Sequence, residues 1–238
     1  MTYGAYLFLL FILYSFLGYI VEMIFVAIQN KKIVNRGFLC GPILPIYGLG
    51  AIFILSALLR YKSDPIVVFV FGMIICSALE YFTSFMLEKM FHNMWWDYYD
   101  FKYNINGRIC LMSAVSFGIA SLVVLYVSQP LIDSFLTLFS PFILNIFVII
   151  TAILYVLDTI YSSIVAFNLR NRLIIVEELK QEKLAKIPKM FEMTLKQRVS
   201  KFKIYPNRLL KAFPKIKSDN LKAFTLMKKF KNDKKKKK

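Results

Sequence analysis

Uninterrupted apolar stretches of about twenty residues dominate the first two thirds of this chain. They lie at residues 3–28, 38–59, 65–90, 109–127 and 139–167. A helix of that length matches the ~30 Å hydrocarbon core of a bilayer. The 58% hydrophobic and 16% aromatic content is also above that of ordinary soluble domains. The sequence therefore predicts an all-α, polytopic transmembrane helix bundle of about five spans.

Prolines bear on two places in this pattern. Pro42 and Pro45 open the second stretch, where early backbone N–H groups lack helical partners and proline is tolerated. A short re-entrant turn is the alternative at that point. Pro130 lies between the fourth and fifth stretches, and we expect a turn around it.

The charged residues divide the chain into two domains. Residues 1–168 hold 8 Lys and Arg against 8 Asp and Glu, whereas residues 169–238 hold 23 against 6. The whole net charge of +17 thus belongs to a C-terminal tail. We interpret residues 1–168 as the transmembrane domain and residues 169–238 as a basic cytoplasmic tail that is partly amphipathic helix and partly disordered.

Basic residues in the short loops indicate the orientation, because cytoplasmic loops are enriched in Lys and Arg. If the tail is cytoplasmic, the outer loops hold only Arg60 and Lys62, and the inner loops hold six basic residues: Lys31, Lys32, Arg36, Lys89, Lys102 and Arg108. This distribution predicts a multi-pass membrane protein with its N-terminus outside and its C-terminus in the cytoplasm.

Three acidic residues lie well inside the predicted spans. Glu22, Glu80 and Asp158 are 9, 9 and 12 residues from the basic ends of their helices, which places them at similar depth. A carboxylate in hydrocarbon costs about 2.5–3.5 kcal/mol and is kept mainly where it faces the bundle interior, forms a pair or lines a pathway. We expect these acids, with Arg36 and Arg108 at the inner boundary, to form a site for a substrate or for protons. The alternative is that they only hydrogen-bond to neighbouring helices.

The longest inner loop concentrates aromatic and polar residues. Trp and Tyr favour the headgroup layer because their rings are apolar with one polar tip, which favours an interfacial belt. The alternative is a surface for a ligand or partner, since the loop is more polar than a belt requires. The candidates in this loop are Trp95, Trp96, Asp97, Tyr98, Asp100 and Asn106.

Three motifs carry a resemblance to a known family. They are the string from Arg36 to Gly48, the segment Leu79–Ser84 with Glu88 and Lys89, and the loop segments Trp95–Tyr98 and Asn104–Ile109. In these the chain resembles bacterial ABC-transporter permeases of the CmpB-like type IV group. The resemblance implies a membrane protein that works with a separate ATPase, and it carries over no catalytic residues.

Three functional hypotheses remain open. The first is a transport protein, with a homo-oligomer as an option. The second is a membrane-embedded enzyme acting on a lipid or polyprenyl headgroup through Asp97, Asp100 and Arg108, and the third is a non-catalytic membrane partner. The chain has no motif for ATP hydrolysis, for a cofactor or for a metal site. Transport without catalysis is therefore the leading hypothesis.

The tail has its own expected partner. Apolar residues recur at helical spacing between residues 184 and 202, with Lys and Arg around them. A basic amphipathic helix binds anionic lipid headgroups, at roughly 1 kcal/mol for each basic residue near the surface. Nucleic-acid binding is the weaker alternative, because the tail is tethered beside lipid.

Overall fold

The prediction of an all-α transmembrane bundle is confirmed. The computed structural model describes residues 1–30, 35, 37–91 and 94–184, and for residues 29–30 and 169–184 only the backbone. Four helical stretches in the described chain are long and apolar enough to cross a membrane: Tyr3–Ile28, Pro65–Phe91, Leu111–Leu136 and Pro141–Asn168.

The described residues form helices and two short strands. Their bounds are α1 Tyr3–Asn30, α2 Pro45–Leu58 with a 3₁₀ turn Leu59–Tyr61, α3 Pro65–Phe91, β1 Asn104–Ile105, β2 Ile109–Cys110, α4 Leu111–Val123, a π turn Val124–Ser128, α5 Gln129–Leu136 and α6 Pro141–Leu184. The two short strands pair antiparallel, with Asn104 opposite Cys110.

Close packing of α1 on α2 forms the centre of the bundle. Gly48 lies so near the Phe11 carbonyl and the Ser15 hydroxyl that an added Cβ would overlap both, and Gly18 is as close to the Tyr47 ring. Small residues let membrane helices approach closely, which is how they gain packing energy without a hydrophobic driving force. Glycine at these two positions therefore sets the distance between α1 and α2.

The second predicted span differs from the structure. Residues 37–44 are not helical, and α2 begins only at Pro45. The Leu44 N–H donates to the Ser15 carbonyl at 3.0 Å, so this segment reaches the middle of α1. Two prolines within four residues explain why the helix cannot start earlier. Residues 37–44, which we call the entry segment, thus place irregular backbone at membrane depth.

The fourth predicted span also differs. The expected turn around Pro130 does not occur, because the helix continues from Leu111 to Leu136 through a π turn at Val124–Ser128. Within that turn the Gln129 N–H donates to the Val124 carbonyl, five residues earlier. A proline has no N–H, so it leaves a backbone carbonyl without its usual helical donor. Local widening of the helix lets the backbone groups around the proline form other hydrogen bonds. The fourth span is therefore longer than its hydropathy suggested.

The described part of the chain divides into two compact units, within residues 1–86 with 98–162, and within residues 87–97 with 163–184. In the first unit, Leu9, Leu10 and Tyr14 of α1 form a buried cluster with Ala51, Ile132 and Leu136. In the second unit, Phe91 packs against Trp95 and Phe167 with ring centroids 5.7 and 5.0 Å apart.

Helix α6 extends beyond its apolar part. Its 44 residues correspond to about 66 Å at 1.5 Å per residue, whereas the apolar window ends at Asn168. The predicted properties of the tail beyond Leu184 lie outside the described residues.

Candidate functional site

Glu80 is the most deeply buried acid of the first unit. It lies on α3, and only 6% of its surface is exposed. The Tyr98 hydroxyl donates to its Oε1 at 3.0 Å, and Ser113 Oγ lies 3.3 Å from its Oε2. Both oxygens of a carboxyl group inside a candidate membrane span are thus held by side chains from elsewhere in the chain.

The β-hairpin fixes the two partners of Glu80. Asn106 and Gly107 adopt positive φ values of 52° and 66°, conformations that Gly and Asn tolerate best. This tight turn lets the Gly107 carbonyl accept from the Tyr98 N–H at 2.8 Å. At the other end of the hairpin, the Cys110 and Ser113 side chains cap α4 reciprocally. The hairpin therefore places Tyr98 and Ser113 on either side of the same carboxyl group.

Glu22 belongs to the same neighbourhood. Its Oε2 accepts from the Tyr47 hydroxyl at 3.0 Å. Burial, followed by the Glu80 carboxylate and to a smaller extent by Glu22, raises the pKa of the Tyr98 phenol. Tyr98 therefore remains a hydrogen-bond donor at every physiological pH, and both acids act on it. Glu22, Tyr47, Glu80, Tyr98 and Ser113 together are called the Glu80 site below.

Asp158 has a different set of partners. Its two carboxylate oxygens accept from the backbone N–H groups of Cys40 and Gly41 at 2.9 and 2.8 Å, and from the Ser162 hydroxyl at 3.0 Å. Irregular backbone at membrane depth is tolerated only where protein or water satisfies it. Asp158 meets this requirement, since it fastens the entry segment to α6.

The two arginines predicted at the inner boundary have different outcomes. Arg36 lies outside the described residues. Arg108 was predicted to share a polar site with Glu80, and that prediction remains open; its guanidinium lies over the rings of Tyr81 and Phe85, at 5.3 and 5.5 Å from the ring centroids. Its Nη1 also donates to the Tyr81 hydroxyl at 3.3 Å. A hairpin that turns at Gly107 directs Arg108 onto this aromatic face, while Tyr98 and Ser113 occupy the oxygens of Glu80.

The loop candidates divide between buried and exposed positions. Trp95 and Asp97 are buried, with 4% and 8% of their surfaces exposed. Trp96 is half-buried, and Asp100 and Asn106 are exposed. The Asn106 amide donates to the Tyr81 hydroxyl at 3.0 Å. The sixth candidate, Tyr98, reaches an intramembrane acid, because its hydroxyl binds Glu80.

Sequence reasoning missed several polar contacts. Tyr47 and Ser113 carry no special pattern, because a single Tyr or Ser in an apolar helix is common. A second network was also missed: the Tyr14 hydroxyl donates to Gln129 Oε1 at 2.9 Å, and Gln129 Nε2 donates to Asp133 at 2.9 Å and to Tyr6 at 3.1 Å. The spacing of Gln129 and Asp133, one helical turn apart, was the available signal, but both residues were assigned to a loop.

Comparisons with known proteins support the resemblance stated from the motifs. The model of a family described as "Putative ABC-transporter type IV" matches residues 9–163. This range includes all or most of every helix of the first unit. Searches of curated proteins and of solved structures found no significant match.

Proposed function

Since this chain belongs to the type IV ABC-transporter family represented by that model, we propose that it forms the membrane-spanning part of a transporter and works with a separate ATPase. The chain itself supplies a polar site inside the bundle, and the partner supplies ATP hydrolysis. The resemblance to bacterial permeases supports a bacterial plasma membrane as its location. The six basic residues of the predicted inner loops, against two in the outer loops, support an N-terminus outside.

The burial of Glu80 supports this proposal most directly. A carboxyl group in a membrane span is expensive to insert and is kept mainly for function. Here the Tyr98 hydroxyl binds one oxygen and Ser113 lies beside the other, while Glu22 contributes a second acid to the same neighbourhood. The site therefore has two carboxyl groups and three hydroxyl groups, which suit a cationic or hydrogen-bonding solute or a proton.

The entry segment is the second support. Irregular backbone inside a membrane occurs where it lines a cavity or lies within protein. Broken helices of this kind often lie at the substrate sites of transporters. Residues 37–44 are held at their C-terminal end by the Ser15 carbonyl and near their middle by Asp158. We assign this segment, with the Glu80 site, to the transport pathway.

The experiment measures ATP hydrolysis and requires no known substrate. The chain is co-expressed with a candidate ABC ATPase from the same organism, and the complex is reconstituted in lipid nanodiscs. We expect faster hydrolysis than with the ATPase alone, and we expect Glu80→Gln to change that rate several-fold. The Gln side chain keeps the shape and removes the charge.

A matched control lies at the other end of the same helix. Asp64 caps α3 by accepting from the Ile66 and Val67 N–H groups at 3.0 and 3.1 Å. Asn caps helices as well as Asp does, so Asp64→Asn changes the same charge outside the site and should leave hydrolysis unchanged. Equal rates for wild type and Glu80→Gln would refute the role of the site. Turnover of a lipid by the purified chain alone would favour the enzyme hypothesis instead.

A further inference from the structure

The π turn at Val124–Ser128 interrupts an otherwise regular membrane helix. Turns of this type are rare and frequently occur at functional positions. Pro130, two residues beyond it, has no N–H and cannot continue an α-helical ladder without a clash. The widened turn accommodates this proline. It also means that α4 and α5 are connected through a π turn and not through regular α-helical hydrogen bonds.

The helix changes its packing partner at the π turn. Before the turn, Gly118 contacts the Phe69 ring of α3 so closely that a Cβ would not fit. After the turn, Ile132 and Leu136 pack in the cluster that contains Leu9 and Leu10 of α1. The two halves of one membrane helix are therefore attached to different neighbours.

Four polar side chains hold the second half in place, and we call them the polar latch: Tyr6, Tyr14, Gln129 and Asp133. Gln129 is the centre of the latch, because its oxygen accepts from Tyr14 and its Nε2 donates to both other members. The Tyr6 hydroxyl donates to Asp133 Oδ1 at 2.8 Å. Gln129 and Tyr14 are buried, with 8% and 4% of their surfaces exposed, so they do not exchange these bonds freely with water.

We propose that the π turn Val124–Ser128 is a hinge, and that the polar latch holds α5 against α1 in the closed position. Opening the latch lets α5 turn away while α4 stays packed on α3. The physical reason is that a π turn holds one more residue than an α-helical turn. Each residue rotates a helix by about 100°. If the π turn relaxes to α-helical geometry, the α5 face that carries Gln129 and Ile132 rotates away from α1.

The motion involves one half of one helix and does not depend on whether the chain transports a solute. It also lies away from the Glu80 site, since no residue of the latch is a member of that site. A hinge at this position would expose the α1 face around Leu10 and Tyr14 to water through the opened contact.

Thiol labelling of the full chain in membranes tests the hinge. The native exposed thiol is removed by Cys40→Ser, and a reporter is placed on the moving half by Ile132→Cys, a position with 9% exposure. A water-soluble maleimide should label this reporter slowly. We expect Gln129→Leu, which removes three hydrogen bonds of the latch, to speed labelling about tenfold. Pro130→Ala restores the N–H that α-helical register needs, and it should have the same effect with every latch residue present.

A second reporter distinguishes hinge motion from general unfolding. Val68→Cys lies on α3, where Val68 is fully buried in the cluster around Leu125. It should stay protected in both variants. Unchanged labelling of Ile132→Cys in Gln129→Leu and Pro130→Ala would overturn the proposal. Faster labelling of both reporters would also overturn it, because the latch would then stabilise the whole bundle rather than one half of a helix.

Discussion

Replacing Gly48 by alanine tests how closely α1 and α2 must approach. A Cβ at this position would overlap the Phe11 carbonyl and the Ser15 hydroxyl. The carbonyl belongs to a helix backbone and cannot rotate away, so the two helices must separate or tilt. We therefore expect Gly48→Ala to destabilise the bundle.

A matched control isolates the steric part of this effect. Gly50 lies two residues further along α2, is also buried, and its added Cβ would meet only the Cys76 sulfur at 3.7 Å and a Leu79 methyl at 3.8 Å. At both positions, the higher helix propensity of Ala stabilises the folded state by about 1 kcal/mol relative to Gly. Overpacking costs about 1–3 kcal/mol and applies only at Gly48. The two variants should thus differ by about 1–3 kcal/mol, with Gly50→Ala equal to or more stable than wild type.

Thermal unfolding of the detergent-solubilised protein measures this difference. Size-exclusion chromatography after heating gives the fraction that remains folded, and each kcal/mol corresponds to roughly 2–4 °C for a protein of this size. The Gly48→Ala midpoint should lie several degrees below that of Gly50→Ala. Equal midpoints would refute the close approach of α1 and α2, because the propensity gain is common to both variants.

Three further predictions concern orientation, the entry segment and the tail. A cysteine at Ser63 should react with an impermeant thiol reagent in intact cells and one at Tyr103 should not; the reverse pattern would invert the orientation. Asp158→Asn leaves one acceptor oxygen for the Cys40 and Gly41 N–H groups, at a cost of about 1–3 kcal/mol, so it should lower the thermal midpoint of the solubilised protein, and an unchanged midpoint would show that the carboxylate does not hold the segment. A peptide of residues 169–207 should bind anionic vesicles and be released as salt rises, because screening shortens the Debye length; equal binding to neutral vesicles would remove the electrostatic explanation.

The apolar lengths in the sequence determined the class of fold. Stretches of about twenty apolar residues leave few alternatives to membrane helices, because backbone groups in lipid must be paired within the segment. The first, third and fifth predicted spans agree with the described helices to within a few residues. The presence of Glu22, Glu80 and Asp158 inside spans was equally visible, since it requires only counting along each helix.

Local backbone chemistry was harder to predict at prolines. Pro42 and Pro45 were expected to be tolerated at the start of a helix, with a re-entrant turn as the alternative. The structure has irregular backbone there, and its position beside Ser15 depends on how α2 packs on α1. Pro130 indicated a turn, whereas the π turn keeps the helix intact. Hydropathy does not distinguish these outcomes, because a proline can be satisfied by ending a helix or by widening it.

Only the tertiary structure decided which groups meet. Glu80 is bound through Tyr98 and Ser113, Asp158 binds the backbone of Cys40 and Gly41 more than a hundred positions away, and Arg108 packs on the rings of Tyr81 and Phe85. In a soluble helix the polar face is exposed, so the opposite apolar face must be the buried one. In a membrane helix the lipid-facing and interior faces are both apolar. The rotation of each helix about its axis is therefore not encoded in hydropathy, and it is set by close packing at positions such as Gly18 and Gly48.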